Sequence, residues 1–167
     1  MKKLLFTAVL LSLGWGMKAQ TATEKYAFVG SVGYQTAFQR IGLQAQGRYN
    51  LCPNLRIAPD ITFYFPKNQV TGLDVNVNVH YTIPIHKLEF YPLAGIGLQT
   101  NFYANAHITN EEGKLAIVDG AGSNYVFIMG SGLSYPLSPR SFLNLENKFG
   151  IGNKHYFSVM LGYGYKF

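Results

Sequence analysis

The chain has 167 residues, 48% hydrophobic and only 13% charged, which leaves room for one domain and excludes a disordered polymer. Its net charge of +6 is partly local: Lys2, Lys3 and Lys18 lie in the first 19 residues, and the remainder holds 11 basic residues against 8 acidic, or +3. With no Lys/Arg cluster, nucleic acid is excluded as a partner, and the single Cys52 allows no internal disulfide.

The opening "MKKLLFTAVLLSLGWGMKAQ" has two lysines, an apolar run from Leu4 to about Gly16, and Ala19 before Gln20. This is the layout of a secretory signal peptide over residues 1–19, too short for a membrane-spanning helix. The domain then runs over residues 20–167.

From there the apolar residues alternate with polar ones, the period of a strand rather than a helix, in eight successive segments. The first, 26–37, sets Phe28, Val32 and Tyr34 against Ser31, Gly33 and Gln35. The second, 41–51, sets Ile41, Leu43, Tyr49 and Leu51 against Gln44, Gln46 and Arg48. The third, 55–65, sets Ile57, Ile61, Phe63 and Phe65 against Arg56, Asp60, Thr62 and Tyr64. In the fourth, 72–83, Leu73, Val75, Val77 and Val79 oppose Asp74, Asn76, Asn78 and His80.

The fifth, 88–102, opposes Phe90, Ala94, Ile96 and Leu98 to Glu89, Tyr91, Gln99 and Asn101. The sixth, 124–137, is the least regular, with Tyr125, Phe127, Met129, Leu133, Tyr135 and Leu137 as its outer set. The seventh, 142–152, opposes Leu143, Leu145, Phe149 and Ile151 to Asn144, Glu146 and Lys148. The last, "HYFSVMLGYGYKF", puts Phe157, Val159, Leu161, Tyr163, Tyr165 and Phe167 on one face and small or polar residues, including Lys166, on the other.

Three connections are tight and contain proline, at 52–54, 83–87 and 136–141, because proline lacks the donor a ladder needs. Between them lie looser ones, including "FPKNQVTG" at 65–72 and the long stretch 103–123. Within that stretch "HITNEEGKLAIV" alternates around a turn of Glu111, Glu112, Gly113 and Lys114, which predicts a hairpin projecting past the other strands. Such a hairpin has edges that can recruit a partner strand.

Segments of this length cross a bilayer when tilted. Aromatics fall in two bands: Tyr49, Tyr81, Phe90, Tyr135, Tyr163, Tyr165 and Phe167 at one end, and Tyr34, Phe63, Phe65, Phe102, Tyr125 and Phe157 at the other. The pattern predicts an all-β, eight-stranded antiparallel up-and-down transmembrane β-barrel with its greasy face in lipid.

These strands resemble the small eight-stranded outer-membrane β-barrels of the OmpA transmembrane-domain and OmpX type, and the compact barrels common in Bacteroidota. The resemblance implies insertion into the outer membrane of a Gram-negative bacterium. It also implies that the tail "VMLGYGYKF", with Val159, Leu161, Tyr163, Tyr165 and Phe167, is the signal read by the barrel-assembly machinery. Tight turns would then be periplasmic and longer loops extracellular.

An eight-stranded barrel is only wide enough for its side chains to fill. The inward charges Arg48, Arg56, Asp60, Asp74, Glu89, Glu146, Lys148 and Lys166, with His80, are therefore expected to form a lumen network in which Glu89 and Glu146 pair with Arg48, Arg56 or Lys148. The role expected is structural or interactive at the cell surface, with a partner at 103–123, no cofactor and no enzymatic chemistry.

The alternatives are a narrow pore, an outer-membrane lipid-modifying enzyme and a soluble lipocalin-like carrier. His155 and Ser158, three apart on a strand, point to opposite faces and so cannot act together. The four histidines lack metal-ligand spacing. A carrier needs its apolar residues inside, the reverse of this pattern. The repeated Gly-x-Gly stretches precede no helix, and inward glycines are expected to make room for neighbours such as Tyr64 and Tyr91.

Overall fold

The computed structural model describes residues 25–109 and 115–167. The signal segment 1–19 and the turn residues Glu111, Glu112, Gly113 and Lys114 lie outside the described residues.

The strands are β1 (Tyr26–Gln35), β2 (Arg40–Cys52), β3 (Leu55–Lys67), β4 (Val70–Tyr81), β5 (Ile83–Ile85), β6 (Leu88–Thr109), β7 (Leu115–Pro136), β8 (Ser141–Ile151) and β9 (Tyr156–Lys166). All pair antiparallel in the order β4-β3-β2-β1-β9-β8-β7-β6, and β4 pairs with β6 to close the ring. The short β5 continues β4: His80 faces Leu93 on β6, and Ile83 faces Phe90 in unbroken register. Thr82 interrupts the two because its amide donates to the Asn54 carbonyl at 2.8 Å. The wall therefore has eight strands.

Alternation fixes which way every side chain points. Along β4, Asp74, Asn76, Asn78 and His80 are buried while Val75, Val77 and Val79 are exposed, and β9 alternates the same way from Tyr156 to Tyr165. Charge inside and aliphatic surface outside reverse the pattern of a soluble barrel.

The interior is filled by aromatic side chains that lie over glycines paired with them on the adjacent strand. A Cβ on Gly132 would overlap the Tyr91 ring, and one on Gly164 would overlap Phe142. The lumen is not polar throughout. Leu93, Val126, Ile128, Tyr91 and Tyr156 form an apolar cluster inside the barrel on β6, β7 and β9.

Several expected connections differ. Pro84 does not end its strand: it pairs with Glu89 inside β5, whose other edge has no neighbouring strand, so the missing donor removes no ladder bond. The turn there is His86–Lys87, with φ 54° at His86. The stretch 65–72 is not a loose loop, since β3 and β4 extend until only Asn68 and Gln69 remain, both left-handed at φ 51° and 64°. Two left-handed central residues make the tight hairpin turn whose twist matches the strands.

The end away from the termini therefore also carries short connections, at 36–39, 68–69 and 152–155. Only β6 and β7, with 22 residues each, project. β6 pairs with β4 as far as Tyr103 opposite Val70, and β7 meets β8 only from Phe127 opposite Ile151. Beyond those points, and past the Ala104 amide that donates to the Gln69 carbonyl at 3.0 Å, the ladder runs between β6 and β7 alone, to Thr109 opposite Leu115. The ladder shifts between Tyr103 and Ala106, opposite Gly120, whose φ of 122° suits glycine.

Candidate functional site: the charged lumen

Three tiers of charge occupy the lumen, each built from inward positions on several strands. Nearest the termini, Arg56 on β3 lies opposite His80 on β4 in the ladder and donates from Nε to His80 Nδ1 at 3.1 Å. Its Nη1 donates to Glu89 Oε1 at 2.7 Å. The His80 ring stacks on Tyr91, 4.6 Å between centroids, and the Arg56 guanidinium lies 4.5 Å over the same Tyr91 ring.

The middle tier closes the barrel. Lys148 on β8 donates to Asp60 on β3 and, at 3.1 Å, to Glu146 Oε1. Asp60 also accepts from Asn76 at 2.8 Å and Asn78 at 2.7 Å, so both its oxygens are held. Arg48 on β2 lies 3.6 Å from Glu146 and donates to Asn144 at 2.8 Å and to the Tyr91 hydroxyl at 2.9 Å. The Tyr91 hydroxyl is 2.9 Å from Glu146 Oε2, and Gln46 adds bonds to the same carboxylate at 3.2 and 3.3 Å. Glu146 is wholly buried, a state a carboxylate tolerates only with such partners.

The third tier lies toward the projecting hairpin. Arg40, 1% exposed, donates to Gln35 at 2.9 Å and to Asn101 at 2.8 Å, and stacks over Tyr64 at 4.7 Å. Asp74 is buried, 1% exposed, next to Arg40 and Gln99. Arg40, Arg48, Arg56 and Lys148 thus balance Asp60, Asp74, Glu89 and Glu146 in number.

Of the residues expected in this network, Arg48, Arg56, Asp60, His80, Glu89, Glu146 and Lys148 meet through the contacts above. Lys166 stands half-buried at the mouth on the termini side. Arg40 is the residue the sequence reading missed, although its parity with Gly42, Gln44, Gln46 and Arg48 marks it as inward. The tail residues Val159, Leu161, Tyr163, Tyr165 and Phe167 are all exposed on the outer face. His155 is exposed while Ser158 is 2% exposed, on opposite faces. Among the described residues no group of His, Cys, Asp and Glu could hold a metal.

No protein-family model and no curated protein sequence matches the chain. Solved structures do. The N-terminal β-barrel domain of Pseudomonas aeruginosa OprF superposes with a TM-score of 0.67 at 18% identity, over 86% of this chain and 98% of that one. The fold is that of the small outer-membrane β-barrels. Neisserial surface protein A follows at TM-score 0.62 and 14% identity, over 85% and 96% of the two chains. Ail, the attachment invasion locus protein of Yersinia pestis, gives 0.54 and 15%, over 85% and 95%. At these identities the likeness carries the architecture alone.

Proposed function

We propose that the chain is an outer-membrane β-barrel of a Gram-negative bacterium, of the OmpA and OmpX type common in Bacteroidota, with a structural or cell-surface contact role and no enzymatic chemistry. The signal peptide 1–19 exports it, the assembly machinery reads the tail ending in Phe167, and lipid solvates the outer face. Both termini are periplasmic, and the long hairpin is extracellular.

The observation that carries this reading is the hairpin of β6 and β7. Past Ala104 and before Phe127, among the described residues, these strands form a ladder only with each other, so their outer edges offer backbone donors and acceptors outside the barrel. An extended partner segment can add to such an edge. The charged belt supports a plugged lumen, which leaves the surface as the working part. A name recording attachment belongs to Ail, and here it adds only that a barrel of this size can serve contact.

Deleting residues 106–118 tests the role. The shortened chain should still fold into a heat-modifiable barrel, and cells carrying it should lose adhesion. Undiminished adhesion would remove the hairpin from the account.

A further inference from the structure

We infer that the barrel mouth on the termini side is a binding site for a phosphate oxyanion. The site is independent of the surface-contact reading, which concerns the opposite end.

The mouth is a cup of about 420 Å³, within the size range of small-molecule sites. Arg48, Arg56, Lys87 and Lys166 line it with His86, and Glu89 is the only acid among its lining residues. Its floor is built rather than incidental. Arg48 and Arg56 are 4% and 6% exposed, and both guanidiniums lie over the one Tyr91 ring, at 5.1 and 4.5 Å.

Of the two carboxylates that face these cations, neither is both buried and undivided. Glu146, 3.6 Å from Arg48, is also paired with Lys148, and Glu89, the partner of Arg56, is 39% exposed. Arg56 Nη2 has no hydrogen-bond partner among the described residues. An oxyanion entering the cup would relieve this like-charge crowding. The Arg56 Nη2 donor left over by His80 and Glu89 can serve a phosphate oxygen, and the rim ammonium groups add point charge.

The two ends of the barrel differ in the amount of positive charge. The termini end carries Lys25, Lys87, Arg140 and Lys166 at its rim among the described residues, with Glu89 the acid facing the cup. Among the described residues the opposite end holds Lys67 and Lys154 against Asp119. Positive potential is therefore concentrated over one concave mouth, where field lines focus.

The phosphate can belong to a phospholipid headgroup or to a soluble anion, and one experiment separates them. The mature chain is folded into phosphatidylcholine nanodiscs and titrated with inorganic phosphate by calorimetry. In parallel, its unfolding midpoint is compared between phosphatidylcholine discs and discs that also contain phosphatidylglycerol. Two double variants accompany it: Lys87→Gln/Lys166→Gln at the cup and Lys67→Gln/Lys154→Gln at the far end.

Phosphate affinity about tenfold weaker in the cup variant, and unchanged in the far-end variant, supports the site and a soluble anion. A midpoint raised by phosphatidylglycerol in the wild type and the far-end variant but not in the cup variant supports the site and a headgroup. Equal responses in both variants, or no response to either anion, overturn it.

Discussion

Lys148 on β8 and Asp60 on β3 form an ion pair across the barrel, between strands that stand four places apart in either direction around the ring. The side chains are 4% and 0% exposed, so the pair ties opposite walls together where water does not screen it.

Removing one member strands the other. Lys148→Met should destabilise the barrel by about 3–5 kcal/mol, because Asp60 and Glu146 both lose their shared cation. Asp60→Asn in the same chain should recover part of that loss. The urea midpoint of the heat-modifiable band measures both. A single variant as stable as wild type would mean that the pair does not hold the walls.

The interior depends on glycine opposite bulk. Gly164→Ala places a methyl against the Phe142 ring and should cost about 1–3 kcal/mol. Phe142→Val in the same chain should relieve it. If the double variant is no better than Gly164→Ala, the contact is not the cause.

Depth should govern the outer face. Leu161 lies mid-strand, facing Val32 and Leu145, while Ile85 lies at the end of β5. Arginine at 161 is expected to cost about 2–4 kcal/mol, and at 85 about 0–1 kcal/mol. Folding free energies in lipid vesicles should rank the variants this way. Equal costs would mean that the apolar band does not sit across the hydrocarbon.

The Asn68–Gln69 turn holds Gln69 at φ 64°, a conformation that a side chain disfavours by about 1–2 kcal/mol. Gln69→Gly should stabilise the chain by about 1 kcal/mol, since Asn-Gly is the favoured pair for this turn. A lowered midpoint would contradict the turn geometry.

These cases also mark how far the sequence could be read. The faces of β2, β3 and β4 were legible because a strand has a strict period of two, and Arg56, Asp60 and Asp74 each share parity with polar neighbours. The signal weakens where both faces are apolar. Along Tyr125, Val126, Phe127, Ile128 and Met129 hydropathy does not alternate, yet parity still gave Tyr125, Phe127 and Met129 as outer, and Val126 and Ile128 are buried inside. What parity could not give is their packing with Tyr91, Leu93 and Tyr156.

Ends and partners were less legible. Arg40 lies one residue before the alternation becomes plain, and the 68–69 turn lacks the glycine that usually announces it. The inward charges could be named, but which of them meet depends on strands four apart coming face to face. Closure and stagger set that, not local pattern.

The central claim is that paired charges plug the lumen, and single-channel recording of the folded mature chain in planar bilayers tests it most directly. A sample that shows the boiling-dependent gel shift and passes no current is the predicted result. Steady current from the same sample would contradict it, and would make Arg48, Asp60, Glu146 and Lys148 the lining of a path.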